Sequence, residues 1–122
     1  MSDYPKTPNL KTKFITAMIE DSATAGQIYV VPGFAGKIKK AWSALNGAIT
    51  TADEVLTLKI GGTAVTGGAI TIATVSSAAG DVDSCTPTAL NTFTAGQAIE
   101  IENSGASDTQ QRIVVTLELE AI

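Results

Sequence analysis

The chain has 122 residues, 44% of them hydrophobic and 16% charged, with a formal net charge of −4. That length suits one domain with a core of its own, and the composition excludes a disordered chain. No apolar run approaches the ~18 residues of a membrane span, so the sequence speaks against a helical membrane protein.

Residues 1–13, "MSDYPKTPNLKTK", are polar and contain Pro5 and Pro8. They read as an extended N-terminal arm, with residues 14–122 forming a single β-sandwich domain. The arm lacks the apolar centre of a signal peptide, so the expectation is a soluble product of a cytoplasm.

Strand patterns follow the arm. "KFITAMIE" (13–20) is the first, and "DSATAGQ" breaks it. "QIYVV" (27–31) is β-branched and aromatic and stops at Pro32-Gly33. In "GKIKKAWSALN", alternation places Ile38, Trp42 and Ala44 on one face and Lys37, Lys39, Ala41 and Ser43 on the other. Lys40 then falls on the apolar face, which asks for a bulge or a snorkelling side chain. "TTADEVL" (50–56) starts like a capped helix but runs into alternation, so it is allowed one turn at most. "EVLTLKI" puts Leu56, Leu58 and Ile60 on one face, and "AITIATV" does the same with Ile70 and Ile72. "AIEIEN" and "RIVVTLELE" alternate cleanly, with Ile99 and Ile101, and Ile113, Val115, Leu117 and Leu119, facing inward. Strands at this spacing, separated by Gly, Asn, Asp and Ser turns, predict an all-β fold. It is a jelly-roll-like β-sandwich of about eight antiparallel strands. The phrase "TAGQ" occurs at Thr24 and again at Thr94, which reads as shared turn chemistry rather than duplication.

"KIGGTAVTGGAITI" (59–72) tests for nucleotide chemistry. Gly62 to Gly67 has the frame of a phosphate-binding loop, but such a loop continues with Lys and Ser or Thr and opens a helix. Here Gly68 and Ala69 follow and the chain enters a strand. The segment instead reads as a two-residue primed turn at Gly61-Gly62, a short edge piece at 63–65 and a second bend at 66–68.

Catalysis is poorly served. There is no histidine, so no Ser-His-Asp or Cys-His arrangement is available. Cys85 is the single cysteine and reads as a small half-buried residue. The carboxylate pairs Glu100/Glu102 and Glu118/Glu120 each share the polar face of a strand and read as structural rather than as a glycosidase pair. Asp81 and Asp83 in "GDVDS" resemble the opening of a calcium loop without its later ligands. They form a calcium candidate beside an Asx-turn reading. No cofactor is expected.

Charge is uneven along the chain. Residues 1–60 carry a net +2 and residues 61–122 a net −6. The acidic half argues against a nucleic-acid partner, which needs a basic face. The arm supplies the candidate partner-binding residues Tyr4, Pro5, Lys6, Pro8, Lys11 and Lys13, with Tyr4 as an aromatic anchor.

From Gly26 to Leu119 the phrasing resembles that of small virion proteins of tailed bacteriophages, the capsid decoration or cement proteins. It runs through "VVPGFAGKIKKAWSALNGAITTADEVLTLKIGGTAV" and closes on "TAGQAIEIENSGA" and "RIVVTLEL". The resemblance implies a jelly-roll or related sandwich, usually oligomeric and often a homotrimer. It implies the outer capsid surface as location, the major capsid protein as partner, and assembly in the cytoplasm of a host bacterium. It brings no catalytic residues. The alternative is a head-fibre or carbohydrate-binding module for host-surface attachment, which needs an exposed aromatic platform. Trp42, the only Trp, is expected to face inward.

Overall fold

The computed structural model describes residues 11–122. Nine strands run in chain order: β1 (Thr12–Ile19), β2 (Gly26–Val30), β3 (Gly36–Leu45), β4 (Glu54–Ile60), β5 (Thr63–Ile72), β6 (Val82–Cys85), β7 (Thr92–Phe93), β8 (Ile99–Asn103) and β9 (Ile113–Ala121). No helix occurs among the described residues, so the turn allowed at 50–56 is absent; Thr51 and Ala52 bend, and β4 starts at Glu54. Thr12 and Lys13, assigned to the arm by the sequence, already belong to β1.

Two antiparallel sheets pack into a sandwich. Sheet A has the order β1-β9-β3-β6, with β7 also pairing β3. Sheet B has the order β2-β8-β4-β5. Between them lie Ile38, Leu56, Leu58, Ile70, Ile72, Ile99, Ile101, Ile113, Leu117 and Leu119, each buried. These are positions that simple alternation turns inward, and each full burial contributes roughly 1.5–3 kcal/mol.

One strand departs from simple alternation. In β3 the register against β9 shifts between Ile38 and Lys40. The extra residue lets Lys39 and Lys40 both avoid the core, because burying an unpaired ammonium costs far more than one irregular ladder step. Everything beyond the bulge therefore changes face. Ala41, Ser43 and Leu45 are buried, whereas Trp42 is half-buried and Ala44 exposed on the outside. The inward placement expected for Trp42 and Ala44 is corrected by this bulge.

The second irregularity sits in β5. Thr57 pairs Ala69 and Lys59 pairs Ala64, so Val65 to Gly68 loop out opposite Leu58. Gly61 and Gly62, with φ of 60° and 80°, make the primed hairpin turn before it. The looped-out segment reaches the other sheet: Thr66 N donates to Ala89 O at 2.9 Å and Thr88 N donates to Thr66 O at 2.9 Å. Gly67, at φ 74°, lies so close to the β6–β7 connection that a Cβ there would stand 2.8 Å from Thr86 O. This side of the sandwich is thus laced shut.

The two "TAGQ" turns differ. Gly96 takes φ 82°, and Thr94 and Gln97 close their turn by Thr94 N donating to Gln97 Oε1 and Gln97 N to Thr94 O. Gly26 is not among the positive-φ glycines and simply opens β2.

Candidate interaction face

The outer surface of sheet A is built by register. Met18 stands opposite Val114, Val114 opposite Ala44, and Ala44 opposite Val82, so one row of apolar side chains crosses four strands. Met18 is 41% exposed, Val114 43% and Val82 63%. The next row holds Thr16, Thr116, Trp42 and Ser84. The row beyond it holds Phe14, 60% exposed, then Glu118 and Lys40. The Lys40 ammonium lies 5.3 Å from the centre of the Trp42 ring, a cation–π contact. Farther along, Lys37 and Glu120 pair at 3.5 Å. The face therefore grades from apolar at one end to charged at the other.

The outer surface of sheet B has the opposite character. Tyr29, Glu100 and Lys59 stand in one row, and Gln27, Glu102 and Thr57 in the next. Lys59 Nζ donates to Glu102 Oε2 at 3.2 Å, and Lys59 also stands opposite Glu100 in the ladder. Glu118 has Lys40 as its ladder neighbour and Glu120 has Lys37. All four carboxylates flagged as pairs by the sequence thus sit on open strand faces beside a lysine.

At one end of the sandwich the loops enclose polar groups. Glu54 is fully buried at the start of β4. Its Oε1 accepts from Ser104 Oγ at 2.6 Å and from Ala106 N at 2.9 Å, and its Oε2 accepts from Asn103 Nδ2 at 3.3 Å. Asn103 Nδ2 also reaches Thr24 O and Asp21 O. Ser22 Oγ donates to Thr109 O at 2.7 Å and accepts from Gln111 N at 3.0 Å. These bonds tie the β1–β2 and β8–β9 loops to β4. The side chains of this network bond to one another and to loop backbone.

Asp81 and Asp83 lie at the start of β6. Asp81 Oδ2 accepts from Ala78 N at 2.8 Å, a turn contact made by its own side chain. Burial raises the pKa of Asp83 above the ordinary 3.8, and the neighbouring Asp81 charge raises it further. No group of three metal-ligating side chains occurs among the described residues. Cys85 is buried, and burial pushes its thiol pKa up to about 11 against a hydrogen bond involving the Ala41 backbone that lowers it. Of the arm candidates, Lys11 is exposed just before β1 and Lys13 is exposed within it; Tyr4, Pro5, Lys6 and Pro8 lie outside the described residues.

The residues of the apolar row were not singled out by the sequence. For Ala44 the signal was present in "KIKK": two adjacent lysines flanked by inward residues favour a bulge, and a bulge reverses every later side chain in the strand. Among the described residues no helix is long and apolar enough to cross a membrane. Comparison with known families and with curated proteins found no family model that matches the chain and no curated protein significantly similar to it.

Proposed function

We propose that this protein is a structural virion protein that binds the outer surface of a tailed-phage capsid and stabilises the shell, a non-enzymatic decoration protein. The observation that carries the reading is the apolar row Met18–Val114–Ala44–Val82, which crosses four strands of one open sheet face. An exposed apolar strip spanning a sheet marks a macromolecular contact. The strand orders β1-β9-β3-β6 and β2-β8-β4-β5 support a jelly roll, with β6 and β7 as one interrupted strand. The phrasing shared with decoration proteins supplies the partner, the major capsid protein, and self-association. Repetition on a shell makes modest contacts sufficient through effective concentration. Co-sedimentation with mature shells of the cognate phage tests it. Binding that falls about tenfold or more in Val114→Asp supports the reading, and wild-type protein left in the supernatant overturns it.

A second reading is favoured by Trp42. It lies half-buried on the outer face, in a row with the hydroxyls of Thr16, Thr116 and Ser84, and movement of Lys40 off its ring would open it to a sugar. A head-fibre or carbohydrate-binding module would use it so. A shift in Trp42 fluorescence on titration with a bacterial surface glycan supports this reading, and an unchanged spectrum across a glycan panel removes it.

A further inference from the structure

The sandwich is closed on one side and open on the other. The β5 side is bridged to the β6–β7 connection, whereas among the described residues the side carrying β1 and β2 is not laced in this way. There Ile15, Ala17, Ile28 and Val30 pack on the core yet remain only half-buried. A groove of about 460 Å³ lies at the β1–β2 loop end of this side, lined by Met18, Ile19 and Ile28 together with Glu20, Asp21 and Asn103.

Among the described residues no strand pairs with the far edge of β1. Ala121 N donates to Lys11 O at 2.7 Å, and the ladder continues in register from Thr12 opposite Glu120. Antiparallel bonding alternates, so Lys13, Ile15, Ala17 and Ile19 bond to β9, and Thr12, Phe14, Thr16 and Met18 turn their N–H and C=O to the free edge. Natural sheets protect such edges. Here β5 is looped out and bridged, β6 and β7 have four and two residues, and β2 has five and is followed closely by Pro32. β1 has none of these devices: it is eight residues long, with one charge, no Pro and no Gly.

We infer that two copies of the chain pair through β1, antiparallel about a two-fold axis at Thr16, joining the two A sheets into one. The occupant follows from self-complementarity. An isologous contact places the same strand on both sides, and antiparallel pairing is the arrangement a two-fold allows. With Thr16 opposite Thr16 of the second copy, Phe14 stands opposite Met18 of the second copy, and the reverse. This register pairs the two exposed apolar residues of the strand as an aromatic–thioether contact, twice. On the inner face, Ile15 stands opposite Ala17 of the second copy. A register shifted by two residues breaks this pairing: one direction sets Phe14 and Met18 against Thr16 and Thr12, the other sets Met18 against Thr16 and Phe14 against Glu20.

About six main-chain hydrogen bonds form at the three central pairs, within the usual number for a specific interface. The open side of the sandwich is about 27 Å long and about 20 Å thick, so mutual cover removes on the order of 1,000 Å², the floor for a stable contact. The three-fold symmetry implied by the decoration-protein resemblance is not what this edge builds.

Sedimentation equilibrium of the full chain and a disulfide trap test the pairing. Wild type should have a mass of about 25 kDa, twice the 12.5 kDa chain. Thr16→Cys should form a covalent dimer under mild oxidation, because cross-strand partners lie within disulfide reach. Thr71→Cys, on the outer face of sheet B, should not. Thr16→Lys, which sets like charges opposite one another while leaving the β9 ladder intact, should weaken association about tenfold or more with an unchanged circular dichroism spectrum. A wild-type monomer or trimer overturns the proposal, as does a Thr16→Cys protein that oxidises no faster than Thr71→Cys.

Discussion

Glu54 and Ser104 are joined by a hydrogen bond of 2.6 Å, Ser104 Oγ donating to Glu54 Oε1, at the buried end of the sandwich. Among the described residues the carboxylate bonds to no ammonium or guanidinium; donors from Ser104, Ala106 and Asn103 hold it instead. Removing it leaves those donors without their acceptor, and the loss is set by their desolvation rather than by the bonds alone. Glu54→Ala is expected to lower unfolding stability by about 3 kcal/mol, and Glu54→Gln, which keeps the shape, by about half as much. Urea titration followed by circular dichroism measures both.

The glycines at 61–68 separate two costs. Gly62 has a positive φ but open space where a Cβ would stand, whereas Gly67 has a positive φ and the Thr86 carbonyl oxygen 2.8 Å away. Gly62→Ala is expected to cost about 1 kcal/mol from backbone strain alone, and Gly67→Ala about 3 kcal/mol because backbone must also move. Equal midpoints for the two variants in urea contradict this assignment.

Asp83 makes stability depend on pH. Its pKa is raised, first by burial and then by Asp81. A raised carboxyl binds its proton more readily in the folded state, so its contribution is complete below the ordinary 3.8 and is lost as the pH rises through the folded value. Asp83→Asn is expected to raise Tm at neutral pH, with the gain disappearing as the pH falls below that ordinary value. Thermal melts of the two proteins across this range provide the check.

Cys85 is expected to be unreactive while the protein is folded. Its pKa of about 11 against 9.0 lowers the thiolate fraction about 100-fold at mildly alkaline pH, and burial blocks access as well. Iodoacetamide labelling in buffer should therefore run at least about 100-fold slower than in denaturing urea.

Ser43 carries a buried hydroxyl with no hydrogen-bond partner among the described residues. It stands in β3 just beyond the bulge, on the face that the bulge turned inward. Ser43→Ala removes a desolvated polar atom without breaking a bond, and is expected to leave stability unchanged or raise it by up to about 1 kcal/mol. A calorimetric Tm that falls by several degrees points to a partner for Ser43.

Much of the fold is legible in the residues. Alternation in "EVLTLKI", "AIEIEN" and "RIVVTLELE" selects the inward set, because a strand offers two faces and only one is dry. The paired glycines identify the hairpin before β5, since a primed turn needs positive φ. The missing lysine after Gly67 removes the nucleotide reading. Position along a strand cannot show how far a bulge displaces it, and here that displacement moved Trp42 from the expected core to the outer face.

Residue order alone is enough for an all-β sandwich, for its inward positions outside the far half of β3 and for the lack of histidine chemistry, because periodicity and composition are local properties. Tertiary structure decided the rest. Met18, Val114, Ala44 and Val82 come from four strands far apart in the chain and become one row only when ladder registers bring them side by side. Glu54 reads as an ordinary acid at a strand start and proves to be a buried clamp, because its partners arrive from a loop some fifty residues away. Edge exposure belongs to the sheet order rather than to any segment. For that reason β1, unremarked as a sequence, stands out once β9 is found on one side of it and no described strand on the other.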